Sequence, residues 1–134
     1  GGVYKLSATK APDSEWENRV KLSNTPEKIT NPGIQQVYRV SKNGIPNHDV
    51  IVDTLNQSDN IEGEALLRPL FVNQNVQDHE RDLIKIQQYV NDQLDQFPEG
   101  LVALEPSESY SVNLDSNLES NKKKLMNEAG KDKS

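Results

Sequence analysis

The two histidines, His48 and His79, are the first side chains to weigh for catalysis or metal binding. One falls in a polar loop between strand-like runs and the other at the start of a helix-like run, and neither has a partner at metal-ligand spacing. Solvated histidines account for both. The chain has no cysteine, which removes thiolate nucleophiles, zinc–thiolate sites and disulfides together. Asp53, Asp59, Glu62 and Glu64 lack the spacing and turn glycine of a calcium loop, and no glycine-rich phosphate loop occurs. The densest chemistry lies in Lys21-Leu22-Ser23-Asn24-Thr25-Pro26-Glu27-Lys28-Ile29-Thr30-Asn31-Pro32-Gly33. Lysines and hydroxyls side by side can hold a phosphate or carboxylate. The same residues also suit a strand end with a Pro26 turn, held by hydroxyl-to-backbone hydrogen bonds. On residue chemistry alone the structural reading is preferred, and no catalytic, cofactor-binding or metal-ligating residue is assigned.

These residues sit in a chain of 134 residues, enough for one small domain. Hydrophobic residues make up 33 % and aromatics 5 %, a thin supply for a self-sufficient core. The net charge of −6 argues against nucleic acid, which selects a basic surface. The one cationic run, Lys122 to Lys124, reads as a solvated helix face. No apolar run reaches membrane-spanning length, and no signal peptide opens the chain, so a cytoplasmic location is expected.

The hydrophobic periodicity divides the chain into residues 1–77, read as strands and turns, and residues 78–134, read as helical. The expected strands are Val3 to Thr9, Arg19 to Ser23, Gln36 to Val40, Val50 to Leu55 and Leu66 to Val72, the last at an edge because Pro69 cannot donate to a ladder. Trp16 is expected as a core or edge anchor. Asn43-Gly44 marks a hairpin turn, which Pro46 and Asn47 are expected to lengthen beyond its tightest form. From Asp78 the period becomes helical: Leu83, Ile86, Val90, Leu94 and Phe97 form one apolar stripe, with Asp78 as the expected cap and Pro98 and Gly100 as the stop. A polar loop over 99–115 carries an extended piece at Tyr110 to Leu114, and a capping box of Ser116 and Glu119 opens a last helix. The fold class is α+β: a small antiparallel β-rich part, one long amphipathic helix and a short C-terminal helix.

The densest segment also carries a resemblance. Lys21, Leu22, Ser23, Lys28 and Thr30 fill, without a gap, a pattern of Lys, aliphatic, Ser, four variable residues, Lys, one residue and Thr. This stretch resembles the one that follows the catalytic barrel in nicotinate phosphoribosyltransferases. Pro32-Gly33 and Val37-Tyr38-Arg39 match as well, and Gly1-Gly2-Val3-Tyr4-Lys5-Leu6 resembles the strand entered just after that family's phosphate loop. Leu66 to Phe71 and Tyr110-Ser111-Val112-Asn113-Leu114 are similar to its C-terminal tail.

The resemblance implies a parent enzyme that joins nicotinate to phosphoribosyl pyrophosphate, with ATP and magnesium, on the salvage route to NAD. The family's phosphorylated histidine, nicotinate-binding arginines and phosphate loop belong upstream of Gly1, and neither histidine here sits in a matching motif. The chain is therefore expected to begin inside a larger protein, to bind no cofactor and to be inactive alone. Its expected partners are the parent's barrel and N-terminal region, and a second subunit in a homodimer. Lys21, Ser23 and Lys28 become candidates for a role at the site mouth or subunit interface. The alternative is a stand-alone protein-interaction module without catalysis.

Overall fold

The computed structural model describes residues 2–57, 60–77 and 81–131. Short strands β1 (Ala8–Thr9) and β2 (Glu17–Asn18) form an antiparallel ribbon, followed by a 3-10 turn at Pro26–Lys28. The main sheet is built on β3 (Gln35–Lys42) and β4 (Ile45–Asp53). After β5 (Glu64–Ala65) comes a second small hairpin of β6 (Phe71–Val72) and β7 (Asn75–Val76). Helices α1 (Leu83–Leu94) and α2 (Glu99–Val102) lead to β8 (Ser111–Leu114), and α3 (Ser116–Lys131) closes the described chain. The four-stranded sheet runs β5-β3-β4-β8. The pairings of β3 with β4 and β5 are antiparallel, whereas β8 lies parallel to β4 because the chain crosses over through α1 and α2.

Asn43 and Gly44 both take positive φ, 54° and 78°, the pattern of the tightest hairpin turn, and Lys42 pairs directly with Ile45. The loop is thus not lengthened. Val40 faces His48 but Ser41 faces Pro46, so a β-bulge absorbs Asn47 inside the strand and Pro46 is tolerated beside it.

Strand propensity overreaches at both ends of the β-rich part. Val3, Tyr4 and Leu6 are exposed and only Ala8–Thr9 of the first expected strand is paired, because residues 3–6 meet no partner strand among the described residues. Pairing in the second expected strand shifts to Glu17–Asn18, and Trp16, 44 % exposed, lies outside the core beside the short strand β2. Leu66 to Val72 is interrupted between β5 and β6. There the side chain of Gln36 replaces the ladder: its Oε1 accepts from Leu67 N at 2.9 Å and its Nε2 donates to Leu67 O at 3.0 Å.

Asp82 caps α1, with Oδ1 accepting from Ile84 N at 2.9 Å. Asp78, the cap expected from sequence, and His79 lie outside the described residues. Asp115, rather than Ser116, caps α3: Oδ2 accepts from Asn117 N at 3.2 Å and its carbonyl accepts from Glu119 N at 2.9 Å. At 16 residues α3 is longer than α1, at 12, reversing the expected order: the Asp82 cap starts α1 at Leu83 and the helix ends at Leu94, whereas α3 runs on to Lys131. The 99–115 stretch expected as a polar loop contains α2 and β8, the latter at the expected extended piece.

The core is small. Val52 of β4, Leu118 of α3 and Pro32 are closed to solvent, and α3 packs against β4. No residue of α1 is buried. Truncating Leu118→Ala is expected to cost about 2–5 kcal/mol, a large share of the stability of so small a core, measured by urea unfolding monitored by circular dichroism.

Candidate functional site

The Lys21–Thr30 segment folds as a loop with zipped stems. Lys21 N donates to Thr30 Oγ1 at 2.7 Å and Thr30 N donates back to Lys21 O at 3.2 Å. Inside it, Ser23 Oγ accepts from Thr25 N at 3.1 Å, and Pro26 sets the 3-10 turn that ends where Ile29 N donates to Pro26 O. Ser23, half-buried, lines a cleft of about 500 Å³ with Leu22, Asn24, Ile29 and Met126 of α3. Lys21 and Lys28 are exposed and do not line it. The hydroxyls of Ser23 and Thr30 are thus engaged by backbone amides.

What holds this loop to the sheet is Asp53, a buried carboxylate at the end of β4. Its Oδ1 accepts from Ile34 N and Leu55 N, each at 3.2 Å, and its Oδ2 accepts from Asn18 Nδ2 at 3.2 Å. Gly33 makes the approach possible: a β-carbon there would sit 2.4 Å from Asp53 Cγ, and its φ of 94° disfavours any side chain. Gly33 N and Arg19 N both donate to Ser7 O, at 2.8 and 2.7 Å, which ties the β1–β2 ribbon to the same point. On the far side Lys122 Nζ donates to Asn31 Oδ1 at 2.8 Å, so α3 grips the loop's exit.

A second cluster lies nearer the hairpin turn. The bulge brings Arg39 opposite Asp49, and they form a two-pronged ion pair, Nε to Oδ1 and Nη2 to Oδ2, both at 3.0 Å. Tyr110 donates its hydroxyl to Asp49 Oδ1 at 2.8 Å. Phe97, just past α1, sits under the Arg39 guanidinium at 5.0 Å and meets the Tyr110 ring edge-on at 5.3 Å. An apolar hollow of about 240 Å³ opens beside them, lined also by Leu94, Leu101 and Val102.

Burial by itself would raise the Asp49 pKa. Hydrogen bonds from Arg39 and Tyr110, with the charges of Arg39 and His48, outweigh it and hold the carboxyl below its ordinary 3.8. Arg39 is held above its ordinary value chiefly by the hydrogen bond to Asp49. Tyr110 is raised by burial first and then by its bond to Asp49. The pair is an anchor rather than a proton donor at neutral pH: both charges are locked and the phenol is kept neutral.

His48, half-buried in β4, places Nδ1 2.9 Å from Asn47 Oδ1. Among the described residues no group of three His, Asp or Glu side chains converges in a way that could hold a metal ion. No described helix is long and apolar enough to cross a membrane. Sequence reading passes over Arg39, Asp49 and Tyr110 because their meeting depends on the bulge and on a pairing between residues 61 apart. In the sequence Asp53 is one acid among several and Gly33 only part of a turn.

Gly33→Ala is expected to destabilise the domain by about 2–4 kcal/mol, combining backbone strain with overlap on Asp53, read as a lower urea midpoint. The Asp49 shift has a defined sign. The carboxyl is more acidic folded than unfolded, so its stabilisation is present above pH 3.8 and is lost as pH falls through the lower folded value. Tyr110 acts oppositely, and its stabilisation fades as pH rises past 10.0. Thermal melts across pH should therefore show an acid limb that shrinks in Asp49→Asn. That variant should also lose about 2–4 kcal/mol at neutral pH by leaving Arg39 uncompensated.

The sequence model for the family described as Nicotinate phosphoribosyltransferase C-terminal domain matches residues 48–122, from β4 into α3 and more than half of the chain. No curated protein matches it. The matched span holds Asp49, Asp53, Phe97, Tyr110 and Leu118, the residues that fasten the helices and the 21–30 loop to the sheet, and the chain belongs to the family of nicotinate phosphoribosyltransferase C-terminal domains.

Proposed function

We propose that this chain is the non-catalytic brace of an enzyme that joins nicotinate to phosphoribosyl pyrophosphate, forming nicotinate mononucleotide and pyrophosphate with ATP hydrolysis, in NAD biosynthesis. Family membership supports the reaction class. The observation that carries the bracing role is the uncovered apolar side of α1: Leu83 is 80 % exposed, and Ile86, Val90 and Leu94 are each open by more than a third. A helix with an apolar stripe is stable when that stripe is covered, and the described residues leave much of it open. The exposed Val3, Tyr4 and Leu6 are a second surface of the same kind. Both suit burial against a catalytic barrel, with a second subunit as a further partner.

In this reading ATP and magnesium act in the catalytic part. The two buried carboxylates of β4 are spent on anchoring: Asp49 on Arg39 and Tyr110, Asp53 on backbone amides and Asn18. Phosphoribosyl transfer needs charged groups aimed at the leaving pyrophosphate, and the exposed Lys21 and Lys28 are the residues that could reach a neighbouring site mouth. Ser23 would support the loop that carries them.

The second reading, a stand-alone interaction module, draws on the same exposed stripe. The two separate in one experiment. The chain is added to a nicotinate phosphoribosyltransferase lacking its C-terminal domain, and nicotinate mononucleotide formation is measured. The brace predicts no turnover by the chain alone, recovered turnover on mixing, and loss of recovery with Leu83→Asp, at a side chain that is 80 % exposed in this domain. Turnover by the chain alone, or no recovery and no binding, contradicts it.

A further inference from the structure

Among the described residues two two-residue hairpin turns share one build: Asn43–Gly44 between β3 and β4, and Asn73–Gln74 between β6 and β7. Each begins with Asn in the left-handed region, at φ 54° and 48°, and continues with a second positive-φ residue. They differ in the residue after the Asn. Asn43 is the only Asn with Gly next in the sequence. We propose that Asn43 is a site of spontaneous backbone modification, converting through a succinimide to isoaspartate and aspartate and loosening the hairpin that carries Arg39 and Asp49.

The step balances without an oxidant or reductant. The Gly44 backbone nitrogen gives its proton to a solvent base and attacks Asn43 Cγ. The bond from Cγ to the side-chain nitrogen breaks, and ammonia leaves with a proton from solvent. Water then opens the ring at either carbonyl. Opening at the main-chain carbonyl routes the backbone through the former side chain as isoaspartate; opening at the other gives aspartate.

Three features of the turn favour this chemistry. Lys42 and Ile45 form the last rung, so the amides of Asn43 and Gly44 lie beyond the ladder. The turn is exposed, and a β-carbon on Gly44 would meet nothing within 4 Å. Glycine also leaves the attacking nitrogen unshielded and lets ψ of Asn43 rotate out of its turn value to reach Cγ. The Asn73 turn shares the first two features, with Val72 and Asn75 as its last rung, but not the third: Gln74 places a side chain beside the nitrogen, and Asn75 Nδ2 donates to Asn73 O at 3.1 Å. The consequence at Asn43 is structural. Isoaspartate adds a methylene to the main chain, which a two-residue turn cannot absorb in register, and sets a carboxylate in the cleft bordered by Lys42 and Glu108.

The modification is independent of the proposed reaction. The purified chain is incubated in mildly alkaline buffer with its fold followed by circular dichroism, then mapped by peptide mass spectrometry and by methylation with an isoaspartyl methyltransferase. The expected result is isoaspartate accumulating at Asn43 several-fold faster than any change at Asn73. A Gln74→Gly variant should bring Asn73 into the same reaction. Equal or slower conversion at Asn43, conversion only in denaturant, or an inert Asn73 in Gln74→Gly would overturn the proposal.

Discussion

The register of the β3–β4 hairpin is the constraint on which the other elements depend. A two-residue turn fixes Lys42 against Ile45, and the bulge at Asn47 then advances β4 by one residue. Without the bulge Arg39 would face His48; with it, Arg39 faces Asp49. That single displacement creates the ion pair to which Tyr110 and Phe97 attach. At the strand's other end the same register brings Asp53 under Gly33 and so sets the base of the 21–30 loop. One strand therefore carries two carboxylate anchors, one for the helical crossover and one for the loop.

The anchoring is polar because the apolar supply is short. Prolines aside, Val52 and Leu118 are the only buried hydrophobic residues among those described, while α1 has none. A core this small cannot order three peripheral pieces by burial alone. Paired and hydrogen-bonded carboxylates do it instead, and no buried side-chain polar atom is left without a partner among the described residues. Such anchors contribute direction more than net stability, since desolvation offsets much of the attraction.

Much of this is legible in the sequence, and the failures have physical causes. Period-two runs and Asn43-Gly44 locate the central hairpin, and period three-to-four locates α1 and α3, because both signals are local. The α+β class follows from them. Strands expected at 3–9 and 66–72 form only in part because propensity measures fitness for a sheet and not the presence of a neighbour. Capping moves from Ser116 to Asp115 because two oxygen-bearing residues adjoin and only the backbone angle selects between them. The Arg39–Asp49–Tyr110 cluster is hidden by the bulge. The 21–30 segment stands out by its residues, and its hydroxyls serve the backbone of the loop itself.

The domain joins a hydrogen-bonded sheet centred on β3 and β4 to an exposed apolar surface on α1. Hydrogen–deuterium exchange of the chain, alone and with the catalytic part of a nicotinate phosphoribosyltransferase, tests this arrangement most directly. Exchange should be slow in β3 and β4 in both samples and fast in α1 alone, with α1 becoming protected on addition. Protection of α1 in the isolated chain equal to that of β4, or unchanged exchange in α1 on addition, would contradict it.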